Sequence, residues 1–142
     1  MRPADLWPWC ALGVLLGPSL SAAASDIAGL WDTQKNHGRV LIEHCGSEIC
    51  GRVLDGDQLR ADADQRDVHN PDPAKRGRRV KGLWILHGYS GGPREWREGT
   101  IYDPQTGDES ERSTLTLISE GVLKVRGCRL LFCRSETWTR ER

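Results

Sequence analysis

The stretch Glu43-His44-Cys45-Gly46-Ser47-Glu48-Ile49-Cys50-Gly51-Arg52 places two cysteines on either side of four residues that include Gly and Ser. In a β-hairpin with a four-residue loop, the residues that close the loop face each other with their Cβ atoms about 4.5–5.5 Å apart, which is within reach of a disulfide. We therefore predict a hairpin closed by a disulfide between Cys45 and Cys50. The same spacing recurs at Cys128 and Cys133, so we predict a second stapled hairpin near the other end of the chain.

Short β-strand patterns occupy most of the chain around these two hairpins. Runs that are rich in apolar, aromatic or β-branched residues are separated by turn signals every ~8–12 residues. Residues 55–81 interrupt this pattern as one long polar loop, with a short helical turn expected somewhere in 56–66. The pattern favours an all-β, antiparallel sandwich or barrel of about eight strands, which we place at 26–33, 39–45, 49–54, 82–88, 95–102, 113–118, 122–126 and 134–140.

The first residues of the chain have the pattern of a signal peptide. An apolar run at Leu6–Leu16 is followed by the small-residue string Ser21–Ala24. The run is too short to span a bilayer, and small residues before a junction are typical of a cleavage site. We predict a signal peptide over residues 1–24, cleaved after Ala24, followed by a single domain over 25–142 in a periplasmic or secreted protein.

Cleavage there would remove Cys10 and leave four cysteines. An even number of cysteines fits an oxidising compartment, although four cysteines allow three pairings and could also form a zinc site. Zinc knuckles usually separate the cysteines of each pair by two residues rather than four. Hairpin geometry favours the local pairing, because each spacing can place the two cysteines face to face.

Composition and motifs argue against several classes of function. The formal net charge is 0 and the charges are interspersed, so nucleic acid is not an expected partner. No two of His37, His44, His69 and His87 have the spacing of metal ligands, so we predict no metal and no other cofactor. No motif presents Ser135 or another serine as a nucleophile next to a base. We therefore expect a protein that is not an enzyme.

The segment Gly29-Leu30-Trp31 resembles the Gly-x-Trp that opens lipocalin-type barrels. In those barrels the tryptophan packs across the closed end beneath a basic residue from the last strand. The resemblance implies this structural role for Trp31, with Arg134 or Arg140 as the basic residue. The alternative is a tryptophan that is buried in any β-core, so the motif favours a barrel over a sandwich only in combination with other signals.

Six segments spread over most of the chain form a recognisable set: Gly29–Trp31, Cys45–Arg52, Asn70–Pro73 with Arg76 and Arg78, Gly99–Pro104 with Gly107, Val125–Cys128 and Thr137–Trp138. With these segments, the chain as a whole looks like the bacterial envelope family known as domain of unknown function 2147. This resemblance implies a small, exported, up-and-down barrel of the lipocalin or calycin type, with a structural role for Trp138, and no assigned activity.

The most specific polar group of residues is the segment Asn70–Pro73 followed by Arg76 and Arg78. Planar guanidinium groups suit carboxylates and other anions, so Asn70, Arg76 and Arg78 form a candidate anion site. The alternative is a rigid loop in which Asn and Asp side chains bond to the backbone and an arginine pairs with Asp72.

Three aromatic residues on predicted central strands, Trp84, Trp96 and Tyr102, are candidates for the wall of a ligand cavity, or else they fill the core. Our first hypothesis is a monomeric, non-enzymatic barrel that binds a small amphipathic ligand, with the arginine loop at its mouth. The alternative is an interaction protein with a filled barrel, which docks on an envelope partner or a membrane surface through its apolar turn Leu130-Leu131-Phe132.

Overall fold

Eight antiparallel strands close into a barrel in the computed structural model, which describes Gly17 and residues 26–142. The predicted signal peptide, apart from Gly17, lies outside these described residues. The strands are β1 (Gly29–Asp32), β2 (Arg39–Cys45), β3 (Glu48–Asp55), β4 (Trp84–Gly91), β5 (Glu95–Asp103), β6 (Asp108–Ser119), β7 (Val122–Arg129) and β8 (Phe132–Arg140).

Each strand pairs with the next one along the chain, and the last strand returns to the first. The closing contact pairs Trp31 with Arg140 and Asp32 with Thr139, antiparallel. Closure of the sheet leaves no free edge strand. The predicted all-β, up-and-down barrel is therefore confirmed, and the sandwich alternative is wrong.

Alternation along the strands determines which side chains enter the barrel. On β7, Leu123 and Val125 are buried whereas Lys124 and Arg126 are exposed. Successive side chains of a strand point to opposite faces, so every second residue points to the interior, and these residues are mostly apolar. The interior is filled mainly by these large side chains, which are almost completely buried: Trp31, Ile42, Ile49, Leu86, Tyr89, Leu115, Leu117 and Leu123.

The two ends of the barrel differ because the connections on them differ. Short turns join β2 to β3, β4 to β5 and β6 to β7 at one end, which we call the closed end. The other end, the mouth, carries a 3₁₀ turn at Lys35–His37, the long segment 56–83, the turn after Asp103 and the turn between β7 and β8. The predicted long polar loop therefore lies at the mouth.

The long loop is partly ordered by its own short elements. It contains one helical turn, α1 (Asp57–Ala61), and a 3₁₀ turn at Pro73–Lys75. Leu59, Val80 and Leu83 are the buried apolar residues through which it packs on the barrel core. The long loop is therefore folded onto the mouth of the barrel. The helical turn predicted in 56–66 is confirmed.

Several strands are longer than the sequence pattern predicts, and β4 and β6 show the reason most clearly. β4 continues through Tyr89 to Gly91, where we predicted a turn, and β6 begins at Asp108 rather than at Ser113. Gly88 has a φ of 69°, and the register shifts beside it, so the extra residue forms a bulge that lets the strand continue. Glycine next to polar residues resembles a turn signal in the sequence, although here it forms a bulge within a strand.

Both predicted disulfides are confirmed. Cys45 and Cys50 have their Cα atoms 5.9 Å apart, and Cys128 and Cys133 are 4.0 Å apart. The Cys45–Cys50 disulfide closes the β2–β3 hairpin at the closed end, and the Cys128–Cys133 disulfide closes the β7–β8 hairpin at the mouth. Across the described part of the chain, no helix combines the length and the apolar character that crossing a bilayer requires.

Candidate functional site

The mouth half of the barrel contains two adjacent cavities. The smaller one, about 150 Å³, lies beneath the long loop and touches Leu59 and Val80. The larger one, about 430 Å³, lies beneath the β7–β8 turn. The two cavities have four wall residues in common, Lys35, Ile101, Asp103 and Glu136. The barrel is therefore filled at its closed end and open at its mouth.

Strand β8 supplies two charged groups, Arg134 and Glu136, to the wall of the larger cavity. Alternation places Phe132, Arg134, Glu136 and Trp138 on the face that borders the cavities. The first three are exposed to solvent, whereas Trp138 is only 2% exposed. The Trp138 indole Nε1 donates a hydrogen bond of 3.1 Å to the Glu136 carboxylate. Trp138 therefore forms part of the floor between the filled and the open halves, and Glu136 lies directly above it.

Most charges on the wall of the larger cavity are paired with each other. The Lys35 ammonium lies 3.3 Å from the Asp103 carboxylate, and the Arg129 guanidinium lies 2.5 Å from Asp108. Within residues 26–142, the side chain of Arg134 forms no hydrogen bond and no ion pair. The Arg134 guanidinium can therefore pair with an anion that binds in the cavity.

The basic residue above Trp31 is Arg140, not Arg134. The Arg140 guanidinium lies 4.3 Å from the centre of the Trp31 ring, and it donates a hydrogen bond of 2.8 Å to the Ala28 carbonyl. Arg134 lies six residues earlier on the same strand, which places it at the mouth. A structural role for Arg134 at the closed end is therefore wrong, because the length of β8 separates it from Trp31.

A buried carboxylate organises the long loop. Asp67 is completely buried, and it accepts hydrogen bonds from Tyr102 Oη (2.5 Å), Asn70 Nδ2 (2.9 Å) and Arg78 Nη2 (2.7 Å). Burial, together with the hydrogen bond to Asp67, raises the pKa of Tyr102 to about 12. The cluster ties the loop to β5, which carries Tyr102.

Both arginines of the candidate anion site, Arg76 and Arg78, bind to other residues of the long loop. Arg76 Nε donates to the Asn70 carbonyl at 2.8 Å, and Arg78 pairs with Asp67. The walls of both cavities contain neither arginine, nor Asn70. The geometry matches the rigid-loop alternative, except that the partner of the arginine is Asp67, whereas Asp72 accepts a hydrogen bond of 3.0 Å from the Ala74 backbone.

The three aromatic candidates lie in three different places. Trp84 is 40% exposed on the outer wall of the barrel, where the Arg52 guanidinium lies 5.6 Å from the centre of its ring. The register shift between β3 and β4 pairs these two residues on the outer face. Trp96 is buried near the β4–β5 turn at the closed end and lines neither cavity. Tyr102 borders the smaller cavity and bonds to Asp67. An interior position for Trp84 is therefore wrong.

Sequence reasoning missed Asp67, Glu136 and the position of Arg134. Counted back from Trp138, every second residue of β8 is charged: first Glu136, then Arg134. Because alternate residues of a strand share a face, this could have indicated two charged residues on the same face as Trp138. Asp67 gave no such signal, because it is one of many acidic residues in a polar segment.

The described residues offer no cluster of three His, Cys, Asp or Glu side chains that could hold a metal ion. Two histidines instead pair singly with carboxylates on the surface: His37 lies 2.9 Å from Asp57, and His44 lies 2.9 Å from Asp26. The hydrogen bond to Asp57 raises the pKa of His37.

Comparisons with known proteins agree with this architecture. A solved structure from Helicobacter pylori, protein HP1028, is described as belonging to the lipocalin family; it superposes with a TM-score of 0.73 at 19% identity, covering 82% of this chain and 84% of that chain. No curated protein matches. Residues 29–140 match the model of a family described as an uncharacterized protein conserved in bacteria. The chain belongs to that family, the domain of unknown function 2147.

Proposed function

We propose that this protein is a non-enzymatic barrel that binds a small amphipathic ligand in the cavities at its mouth. The observation that carries the proposal is the larger cavity of about 430 Å³, with an arginine on its wall that has no partner within residues 26–142. Ligand pockets are typically ~300–1,000 Å³, mostly apolar, with a few polar groups that orient the ligand. A filled barrel would have offered no such space.

The walls suit a ligand with an apolar body. Ile101, Val125 and Phe132 contribute apolar surface to the larger cavity. Gly127 widens it on one side, where an added Cβ would lie 3.0 Å from the Cβ of Ser110. An apolar body displaces water from this surface, which is the main favourable term in such binding.

Arg134 would orient the polar end of the ligand. A guanidinium favours a carboxylate, sulfonate or phosphate, and a charge-assisted hydrogen bond contributes about 1.5–3 kcal/mol. Glu136 lies deeper, beside Trp138. Its negative charge disfavours an anion at the floor, so it supports an orientation in which the anionic group stays near the rim.

We also propose that the protein is exported. The signal-peptide pattern in residues 1–24 and two disulfides in the domain support this, because disulfides persist in oxidising compartments. Amino-terminal sequencing of protein recovered from the periplasm should begin at Ser25. An intact amino terminus in the cytoplasmic fraction would contradict export.

Ligand binding can be tested with anilinonaphthalene sulfonate, an aromatic anion that fluoresces in apolar surroundings. Arg134→Ala should weaken its binding by about tenfold or more, as expected for one charge-assisted hydrogen bond. Glu136→Gln should tighten binding by a few fold because it removes a repulsive charge at the floor.

Arg126→Ala is the matched control, because it removes the same charge from the outer face of the neighbouring strand. Binding should stay unchanged in that variant. Equal losses in Arg134→Ala and Arg126→Ala would show that the probe responds to overall charge. Failure of the unaltered protein to bind the probe or any alkyl carboxylate would overturn the proposal.

A further inference from the structure

The turn between β7 and β8 presents three consecutive apolar side chains to water. Leu130, Leu131 and Phe132 are 82%, 95% and 80% exposed, and we call them the apolar tip. The other large apolar residues that are exposed, such as Val68 and Ile118, occur singly. A contiguous apolar group at the surface indicates a contact with another apolar phase or molecule.

The tip is held in shape by the residues below it. The disulfide between Cys128 and Cys133 closes the hairpin, and Arg112 Nη2 donates a hydrogen bond of 3.1 Å to the Leu130 carbonyl. A rigid tip does not lose conformational freedom when it enters an apolar environment, so more of the burial energy is available for binding. Exposure at this turn is therefore a fixed feature of the hairpin.

The hairpin that carries the tip is basic. Residues 121–135 contain four cations, Lys124, Arg126, Arg129 and Arg134, and no acidic residue. In the described part of the chain, Arg129 is the one of the four that forms an ion pair, with Asp108. Lys124 lies near the start of β7, away from the tip, whereas Arg129 and Arg134 flank the tip and Arg112 donates to its backbone. On β6, Asp108 pairs with Arg129 and Glu111 lies opposite Cys128, so three arginines face two carboxylates beside the tip. An apolar tip with this excess of arginines beside it is complementary to a lipid surface with anionic headgroups.

We propose that the apolar tip inserts into the headgroup region of a bilayer that contains anionic phospholipid. A second protein molecule fits the surface less well, because a stable protein interface needs about 800 Å² from each partner, whereas the tip consists of three side chains. Leu130 and Phe132 also line the larger cavity. Docking through the tip would therefore turn the open end of the barrel towards the lipid.

Co-sedimentation with vesicles tests this proposal. The oxidised protein should bind vesicles of phosphatidylethanolamine with phosphatidylglycerol, and bind less at high salt because the cationic contribution is screened. Vesicles of phosphatidylcholine alone should bind it more weakly. Leu131→Asp should lower the partition coefficient about tenfold or more, as expected for the loss of one buried leucine side chain.

Ile118→Asp is the matched control, since Ile118 is an exposed apolar residue of β6 that lies outside the tip and is 54% exposed. It should bind vesicles as the unaltered protein does. Equal losses in the two variants, or no vesicle binding at all, would overturn the proposal. A concentration-dependent dimer that Leu131→Asp abolishes would also overturn it, by showing that a second copy covers the tip.

The same variants separate docking from ligand binding. Leu131 does not line the larger cavity, so Leu131→Asp should leave the affinity for anilinonaphthalene sulfonate unchanged. Both variants should keep the melting temperature of the unaltered protein, because both positions are exposed. Failure of docking and failure of ligand binding would therefore be observed independently.

Discussion

Replacing Arg78 by Ala removes the cation from the completely buried carboxylate of Asp67. The guanidinium lies 2.7 Å from that carboxylate, and the side chain of Arg78 is 41% exposed. Removing one partner of a fully buried ion pair costs about 3–5 kcal/mol, whereas an exposed pair contributes ~0–1 kcal/mol. Water screens the Arg78 guanidinium, and Asp67 keeps its hydrogen bonds from Tyr102 and Asn70. We therefore expect Arg78→Ala to lower the free energy of unfolding by about 2–3 kcal/mol.

The assay is a urea titration followed by circular dichroism, with Arg79→Ala as the control. Arg79 is the next residue and pairs with Asp64, but these side chains are 59% and 69% exposed. Its replacement should change the free energy of unfolding by less than about 0.5 kcal/mol. For a domain of this size, the expected loss in Arg78→Ala corresponds to a melting temperature lower by roughly 8–15 °C.

Equal stability of the two variants would refute the reasoning. In that case Arg78 would be free for another role, and the original hypothesis of an anion site on the loop would regain its support. A large loss in Arg78→Ala alone would instead establish that the loop arginine holds the cover over the smaller cavity.

Three further predictions concern the core and the surface. Trp31→Ala should cost about 3–5 kcal/mol in the same titration, and a loss below about 1 kcal/mol would contradict its place in the core. Gly99→Ala should lower the free energy of unfolding by ~1–3 kcal/mol, because the added Cβ would overlap the ring of the buried Tyr89; a gain in stability would contradict this packing. By NMR, the pKa of His37 should lie above its ordinary value of 6.5 and should fall in Asp57→Asn, which removes the main cause of the shift. The small stability that this exposed pair contributes should be complete below the ordinary value and lost as pH rises through the raised pKa.

The features that the sequence predicted correctly are local ones. The pairing of Cys45 with Cys50 depends on a spacing of five residues and on the width of a hairpin. The alternation on β7 shows within a few residues which side chains are buried. Antiparallel neighbours joined by short turns then lead to an up-and-down barrel without any information on distant contacts.

Bulges limited what could be predicted within the strands. The register shift beside Gly51 decides that Trp84 faces solvent, since a slip of one residue moves a side chain to the other face of the sheet. The positive φ of Gly88 lets β4 continue through a segment that resembles a turn. These are properties of two paired strands, whereas a sequence pattern describes only one.

The candidate site depends on contacts between residues that are far apart along the chain. Asp67 and Tyr102 are separated by 35 residues, and only the folding of the long loop onto β5 makes Asp67 the partner of Arg78. The strands, the hairpins and their disulfides could be predicted from local patterns, because hydrogen-bonded turns and alternating burial act over a few residues. Which arginine faces the cavity could not be predicted in this way. It depends on how eight strands close around a volume that their side chains fill at one end and leave open at the other.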